Sequence, residues 1–102
     1  MRVEVCELMG GRASGVSVQW EGGQFVFIVA ERGIVGCGIF SVEVMDEFDM
    51  AGAIAKGTRE RPLVVPEDLL GAEMVDVSEK ARNMGIEVGM TGAQALEVLL
   101  EG

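Results

Sequence analysis

The chain has no histidine, no tyrosine, one tryptophan, two cysteines and two prolines in 102 residues. Lack of histidine removes the side chain most used for proton transfer near neutral pH, and with it every Ser/His or Cys/His dyad. An enzyme built on this chain would need a carboxylate, a lysine or a bound water as its base. Cys6 and Cys37 lack CxxC spacing, and without histidine there are too few soft ligands for zinc, so no metal is expected. Positive charge is also scarce: eight bases face seventeen acids, a formal net charge of −9. Such a surface repels phosphodiester backbones and anionic headgroups. No basic stripe with interleaved aromatics offsets it, so neither nucleic acid nor a membrane surface is an expected partner. Long hydrophobic runs are missing as well, since the longest, Phe25 to Ala30, is far too short to cross a bilayer. Met1-Arg2-Val3-Glu4 leads straight into a strand pattern without an apolar leader, and a cytoplasmic location with reduced thiols is expected.

What remains is the composition of an ordinary globular protein, 49% apolar and 25% charged. A single domain spanning residues 1–102 is expected, with no repeat, linker or low-complexity tract.

The first forty residues read as β structure. Val3 to Met9 makes a first strand, separated by Gly10-Gly11-Arg12-Ala13 from a second in which Val16, Val18 and Trp20 alternate with Ser17, Gln19 and Glu21. Gly22-Gly23 suits a tight hairpin. Phe25 to Ala30 is apolar on both faces and belongs mid-sheet, covered above and below or held at an interface. Glu31-Arg32-Gly33 turns the chain into a fourth strand-like run that reaches Phe40. Links this short are hairpins, which predicts a four-strand antiparallel meander.

The period then changes. Ser41 is placed to cap a helix whose Val44, Met45 and Phe48 face the sheet, with Glu43, Asp46, Glu47 and Asp49 on the wet side. Ala51 to Ala55 reads as a short fifth strand and Lys56 to Val65 as a loop. Pro66 opens a helical turn ended by Gly71. Asp76-Val77-Ser78-Glu79 fits a capping box for a helix of about two turns carrying the stripe Val77, Ala81, Met84. Thr91-Gly92-Ala93-Gln94 repeats that pattern for a last helix to Leu100, polar only at Gln94, Glu97 and Glu101 and therefore mostly buried. The fold class predicted is α+β, a meander plus a short fifth strand covered by three or four helices.

Three runs carry a resemblance: Gly36-Cys37-Gly38-Ile39-Phe40-Ser41-Val42, then Ala51-Gly52-Ala53-Ile54-Ala55-Lys56-Gly57-Thr58-Arg59, then Met84 to Leu96 with its Gly85-Ile86-Glu87-Val88-Gly89-Met90-Thr91-Gly92 passage. Together they resemble the YunC-like family of small uncharacterised archaeal and bacterial proteins over roughly residues 33 to 100. The passage Glu60 to Pro66 looks longer than the family's. The resemblance implies a compact α+β domain and carries no activity, cofactor or catalytic residue with it.

Several residues invite a functional reading. Bare backbone at Gly36 and Gly38 lets something approach closely, either a packed element or a ligand. Strict alternation would place Cys37 with Val35 and Ile39, which favours burial of an inert thiol. The neighbouring helix start could instead stabilise a thiolate, leaving Cys37 a candidate catalytic nucleophile. Gly89, Thr91 and Gly92 open the last helix, where amides attract carboxylate or phosphate unless Thr91 itself fills the site. Lys56, Arg59 and Arg61 cluster on one loop of an acidic chain, where they can hold an anionic ligand or pair with the protein's own carboxylates. The acidic run from Glu43 to Asp49 lacks a calcium-loop pattern and reads as a solvated face.

Three hypotheses stay open from the sequence. One is a homo-oligomeric module that binds a small anionic metabolite or a partner. A second is a thiol-dependent enzyme using Cys37. A third is a purely structural assembly protein. Self-association is expected because the doubly apolar third strand and the apolar last helix are hard to cover within so short a chain. Any cofactor is left unknown.

Overall fold

The computed structural model describes residues 1–101. It shows the α+β class: a six-stranded mixed sheet with four helices. The strands are β1 (Arg2–Leu8), β2 (Ala13–Trp20), β3 (Gly23–Ala30), β4 (Gly33–Gly36), β5 (Gly52–Ala55) and β6 (Met74–Val77). The helices are α1 (Val42–Glu47), α2 (Pro66–Leu70), α3 (Glu79–Asn83) and α4 (Gly92–Leu100). Strand order across the sheet follows chain order. The first four form the antiparallel meander that short links dictate. β5 then joins β4 in parallel after the crossover through α1, and β6 closes the sheet antiparallel to β5. Among the described residues no helix is long and apolar enough to cross a membrane.

Three local expectations change. The fourth strand stops at Gly36 instead of running to Phe40, because the Phe40 amide donates to the Cys37 carbonyl at 3.2 Å and closes a turn. Alternation therefore ends there, with Val35 and Cys37 buried but Ile39 exposed. A sixth strand occupies Met74–Val77, where a capping box was expected. The cap of α3 is Ser78, whose hydroxyl accepts from the Ala81 amide. Finally, α1 buries only Met45, which packs over Gly52, while Val44 and Phe48 point outward. Six helical residues give too narrow a stripe to seat three side chains on the sheet.

The core lies on one side of the sheet. Val26, Ile28 and Ala30 of β3, Val35 of β4 and Ala53 and Ala55 of β5 face Leu69 of α2 and Ala95, Leu96 and Leu99 of α4, all buried. Burial of each leucine is worth roughly 1.5–3 kcal/mol, which is why the apolar face of α4 sits here. The last helix is thus covered by its own chain, as its Gln94 and Glu97 stripe requires.

The opposite side is different. Register places Val3, Val18 and Phe25 in one cross-strand row, Val5, Val16, Phe27 and Gly36 in the next, and Glu7, Ser14, Val29 and Ile34 in a third. No helix lies over the β1–β3 part of these rows. β3 is therefore fully covered on one face only, and Val29 on its other face is exposed.

Candidate functional site

The two glycines around the thiol do different work. A side chain at Gly36 would meet the Phe40 ring at 2.6 Å, so the bare backbone there receives an aromatic ring of the same chain. At Gly38 the nearest atom would be the Lys56 Cγ at 3.7 Å, and the backbone is exposed. Between them Cys37 is buried. Its amide donates to the Val26 carbonyl at 3.1 Å and its sulfur accepts from the Val26 amide at 3.5 Å. Both contacts turn the thiol inward, among the core side chains.

Because β4 and β5 run parallel, both strands end at the same edge of the sheet. The Cys37-Gly38 turn and the Lys56-Gly57 start of the following loop are thereby brought side by side. In open α/β arrangements, the ends of parallel strands leave a crevice that ligands occupy. A cleft of about 640 Å³ opens on the β6 side of Lys56, between the end of β5 and the start of β6, lined by Lys56, Arg61, Pro62, Leu63, Asp68, Gly71, Ala72, Glu73 and Val75. The Thr58–Arg61 turn shapes one rim: the Thr58 amide donates to the Arg61 carbonyl at 3.1 Å, and the Arg61 amide to the Thr58 hydroxyl at 3.0 Å. Arg59 sits at the exposed tip of that turn, whereas Arg61 lines the cleft.

Charge in the cleft is only partly committed. Asp68 accepts from the Val64 and Val65 amides at 3.0 and 3.1 Å, holding the entry to α2. Among the described residues the ion pairs are Arg2–Glu4 and Lys80–Asp49, so Lys56, Arg59 and Arg61 have no carboxylate partner. The Glu73 carboxylate makes no hydrogen bond among the described residues either.

The start of α4 forms the other flank. Glu73 bridges to Thr91, and the Gly92 amide donates to the Ala72 carbonyl at 2.9 Å. The Thr91 hydroxyl takes the Gln94 amide at 3.2 Å, while Gln94 returns a bond to the Thr91 amide at 2.9 Å. Gly92 is buried against the Leu69 carbonyl with no room for a Cβ, and the Gly89 amide donates to Met74. Most amides of this helix start are thus engaged by the protein. The structure therefore brings Gly38 beside Lys56 and sets Thr91 and Gly92 behind the Ala72–Glu73 wall, with Gly36 and Cys37 on the core side. Glu73 and the apolar lining escaped sequence reasoning, because they gather only when β6 joins the sheet.

A second cleft of about 320 Å³ lies between β1 and α2, lined by Glu4, Val5, Cys6, Ser17, Val65, Pro66 and Glu67. Cys6 sits 3.6 Å from the Glu67 carboxylate, and burial together with that charge pushes its thiol pKa up. Glu4 is paired with Arg2, but Glu67 has no cation beside it and no base lines the cleft, which disfavours an anion there. Among the described residues no group of histidine, cysteine and carboxylate side chains could hold a metal.

The sequence pattern of a family described as a domain of unknown function, DUF1805, matches residues 36–99. A crystal structure of a protein of unknown function from Thermoplasma acidophilum shares the fold with a TM-score of 0.77 at 21% identity, covering 96% of this chain and 91% of that one. That degree of identity speaks for the fold alone. No curated protein matches the chain.

Proposed function

Since the chain belongs to the DUF1805 family, a domain of unknown function, we propose a role in that class as a binding module for a small anionic metabolite, seated in the cleft between the end of β5 and the start of β6. The narrower YunC-like assignment is part of this proposal, supported by three motif runs that all fall within residues 36–99. So is the cytoplasmic location.

The observation that carries the reading is a cleft containing two cations without carboxylate partners in a chain of net charge −9. Arg12, Arg32, Arg59 and Arg82 likewise have no carboxylate partner among the described residues, so position rather than lack of pairing marks out Lys56 and Arg61. These two bases line the same cleft, where arginine offers a bidentate fork to carboxylate or phosphate and lysine a point charge. Glu73 opposite them suits a hydroxyl or amino donor on the same ligand. Exposed backbone at Gly38 leaves space beside Lys56. The thiol-dependent alternative has less to rest on, because Cys37 is turned into the core.

Calorimetry and thermal shift against carboxylated and phosphorylated metabolites test this, since a ligand that binds the folded state raises its melting temperature. At least one compound is expected to stabilise the wild type. Arg61→Ala and Lys56→Ala should each weaken that binding by roughly 10- to 100-fold, the range of a charge-assisted hydrogen bond, and Arg59→Ala by much less. A panel that shifts nothing, or equal losses from Arg59→Ala and Arg61→Ala, would overturn the reading.

A further inference from the structure

We infer that the helix-free face of β1–β4 is a homodimer interface, occupied by the same face of a second copy of this chain. Its rows present Val3, Val5, Val16, Val18, Phe25, Phe27 and Val29, capped at one end by Trp20. Phe40 folds over Gly36 onto the same side and meets Phe27 edge-on at 5.6 Å between ring centres. Glu7 is the one ionisable side chain that register places on this face of the four strands. Exposure is substantial: Val5 is 69% accessible, Val3 53%, Val29 45% and Trp20 44%.

The wall beside this floor is mixed, with Glu43, Asp46, Glu47 and Asp49 exposed along it among apolar side chains. The α1 crossover lies on this side through Met45 over Gly52 of β5, and it leaves Phe48, Val44 and Met50 exposed. The strand floor itself carries one charge among its apolar groups, and the other charges gather at its α1 rim, where Arg32, Asp49 and Lys80 share a cavity with Val29 and Ile34.

Three arguments select a second copy. Size is the first: four strands about 4.8 Å apart and six residues of about 3.3 Å give a flat footprint of roughly 400 Å² per copy. Two copies thus cover roughly 800 Å² in flat projection, the lower end of the range for a specific contact, and exposed side chains standing above the sheet, such as Val5 and Trp20, add to that area. Shape is the second. The face is split into a valine side, β1 and β2, and an aromatic side, β3 with Phe40. A two-fold axis along the strands, between β2 and β3, lays the valine lanes of one copy over the aromatic lane of the other. Bulky rings then meet small side chains in both halves, the self-complementary condition for an isologous contact. The third is geometry, since face-to-face packing of twisted sheets is a standard arrangement with layers about 10 Å apart.

Sedimentation of the full chain across micromolar concentrations tests this, with emission from Trp20, the sole tryptophan, read in parallel. A mass of two chains is expected, with Trp20 emission shifting to the blue as the dimer forms. Val5→Glu and Val29→Glu each place two charges in the dimer and should weaken association by at least a hundredfold while far-ultraviolet circular dichroism stays unchanged. Val88→Glu, on an exposed site away from this face, should leave it intact. A wild type that stays monomeric, whether or not it captures some other protein, overturns the inference. So does a dimer indifferent to Val29→Glu, because pairing through the β1 edge alone would not sense that position.

Discussion

A thiol reacts when it is both reachable and ionised, and the two cysteines fail differently. Cys37 is 8% exposed and bonded to Val26, while Cys6 is half-buried beside Glu67. Neither is set up as a fast nucleophile. Under native conditions iodoacetamide should label Cys6 before Cys37, with mass spectrometry following both. Glu67→Gln should accelerate Cys6 labelling near neutral pH by removing a charge that holds its pKa up. Rapid labelling of Cys37 would restore the thiol-dependent reading. The raised Cys6 pKa also has a sign for stability. The folded chain holds that proton more tightly than the unfolded chain, so the contribution is whole below the ordinary thiol pKa and is lost as pH rises through the raised value. Cys6→Ser should therefore flatten the alkaline arm of a melting-temperature profile and leave the acid arm unchanged. Gly92 is governed by space alone. A methyl there collides with the Leu69 carbonyl, a backbone atom that cannot swing aside, so Gly92→Ala should cost about 3 kcal/mol in urea unfolding.

At the scale of elements, one hydroxyl joins two of them. Ser78 is fully buried, and its oxygen accepts from the Gly52 amide of β5 at 2.9 Å and from the Ala81 amide of α3 at 3.3 Å. Ser78→Ala removes a cap and orphans a buried amide together, so a loss of about 2–3 kcal/mol in chemical denaturation is expected. A loss under half that would mean water replaces the hydroxyl. This junction also shows where sequence patterns mislead. The meander was legible because period-two alternation and two-residue links are local signals, and α4 was legible through its cap and narrow polar stripe. β6 was not: Met74-Val75-Asp76-Val77 is four residues long, its burial follows a bulged pairing with β5, and Asp76 imitates a cap beside the real one. The narrow contact of α1 was hidden for a similar reason, since three apolar residues on a short helix look alike until Gly52 admits only Met45. Of the candidate site, Lys56, Arg61 and the open backbone at Gly38 were visible as residue types. Their convergence was not, because it depends on β5 lying parallel to β4, which no local pattern encodes.

The whole molecule sets charge against apolar surface. Each chain carries −9, so two copies repel at long range, while the helix-free face attracts only on contact. These forces respond differently to salt. Raising the ionic strength from about 0.01 M to about 0.15 M shortens the screening length from about 30 Å to about 8 Å, less than the separation of most charges across a dimer. The repulsion fades while apolar burial is hardly altered over that range. Sedimentation at both salt concentrations should therefore give a dimer several-fold tighter at the higher one, while binding of an anionic metabolite at Lys56 and Arg61 weakens because its attraction is screened. Opposite salt slopes for the two equilibria are the signature of an apolar interface and an electrostatic site on separate parts of one chain. A dimer that loosens with salt would place charge pairs, rather than valine and phenylalanine, at its centre.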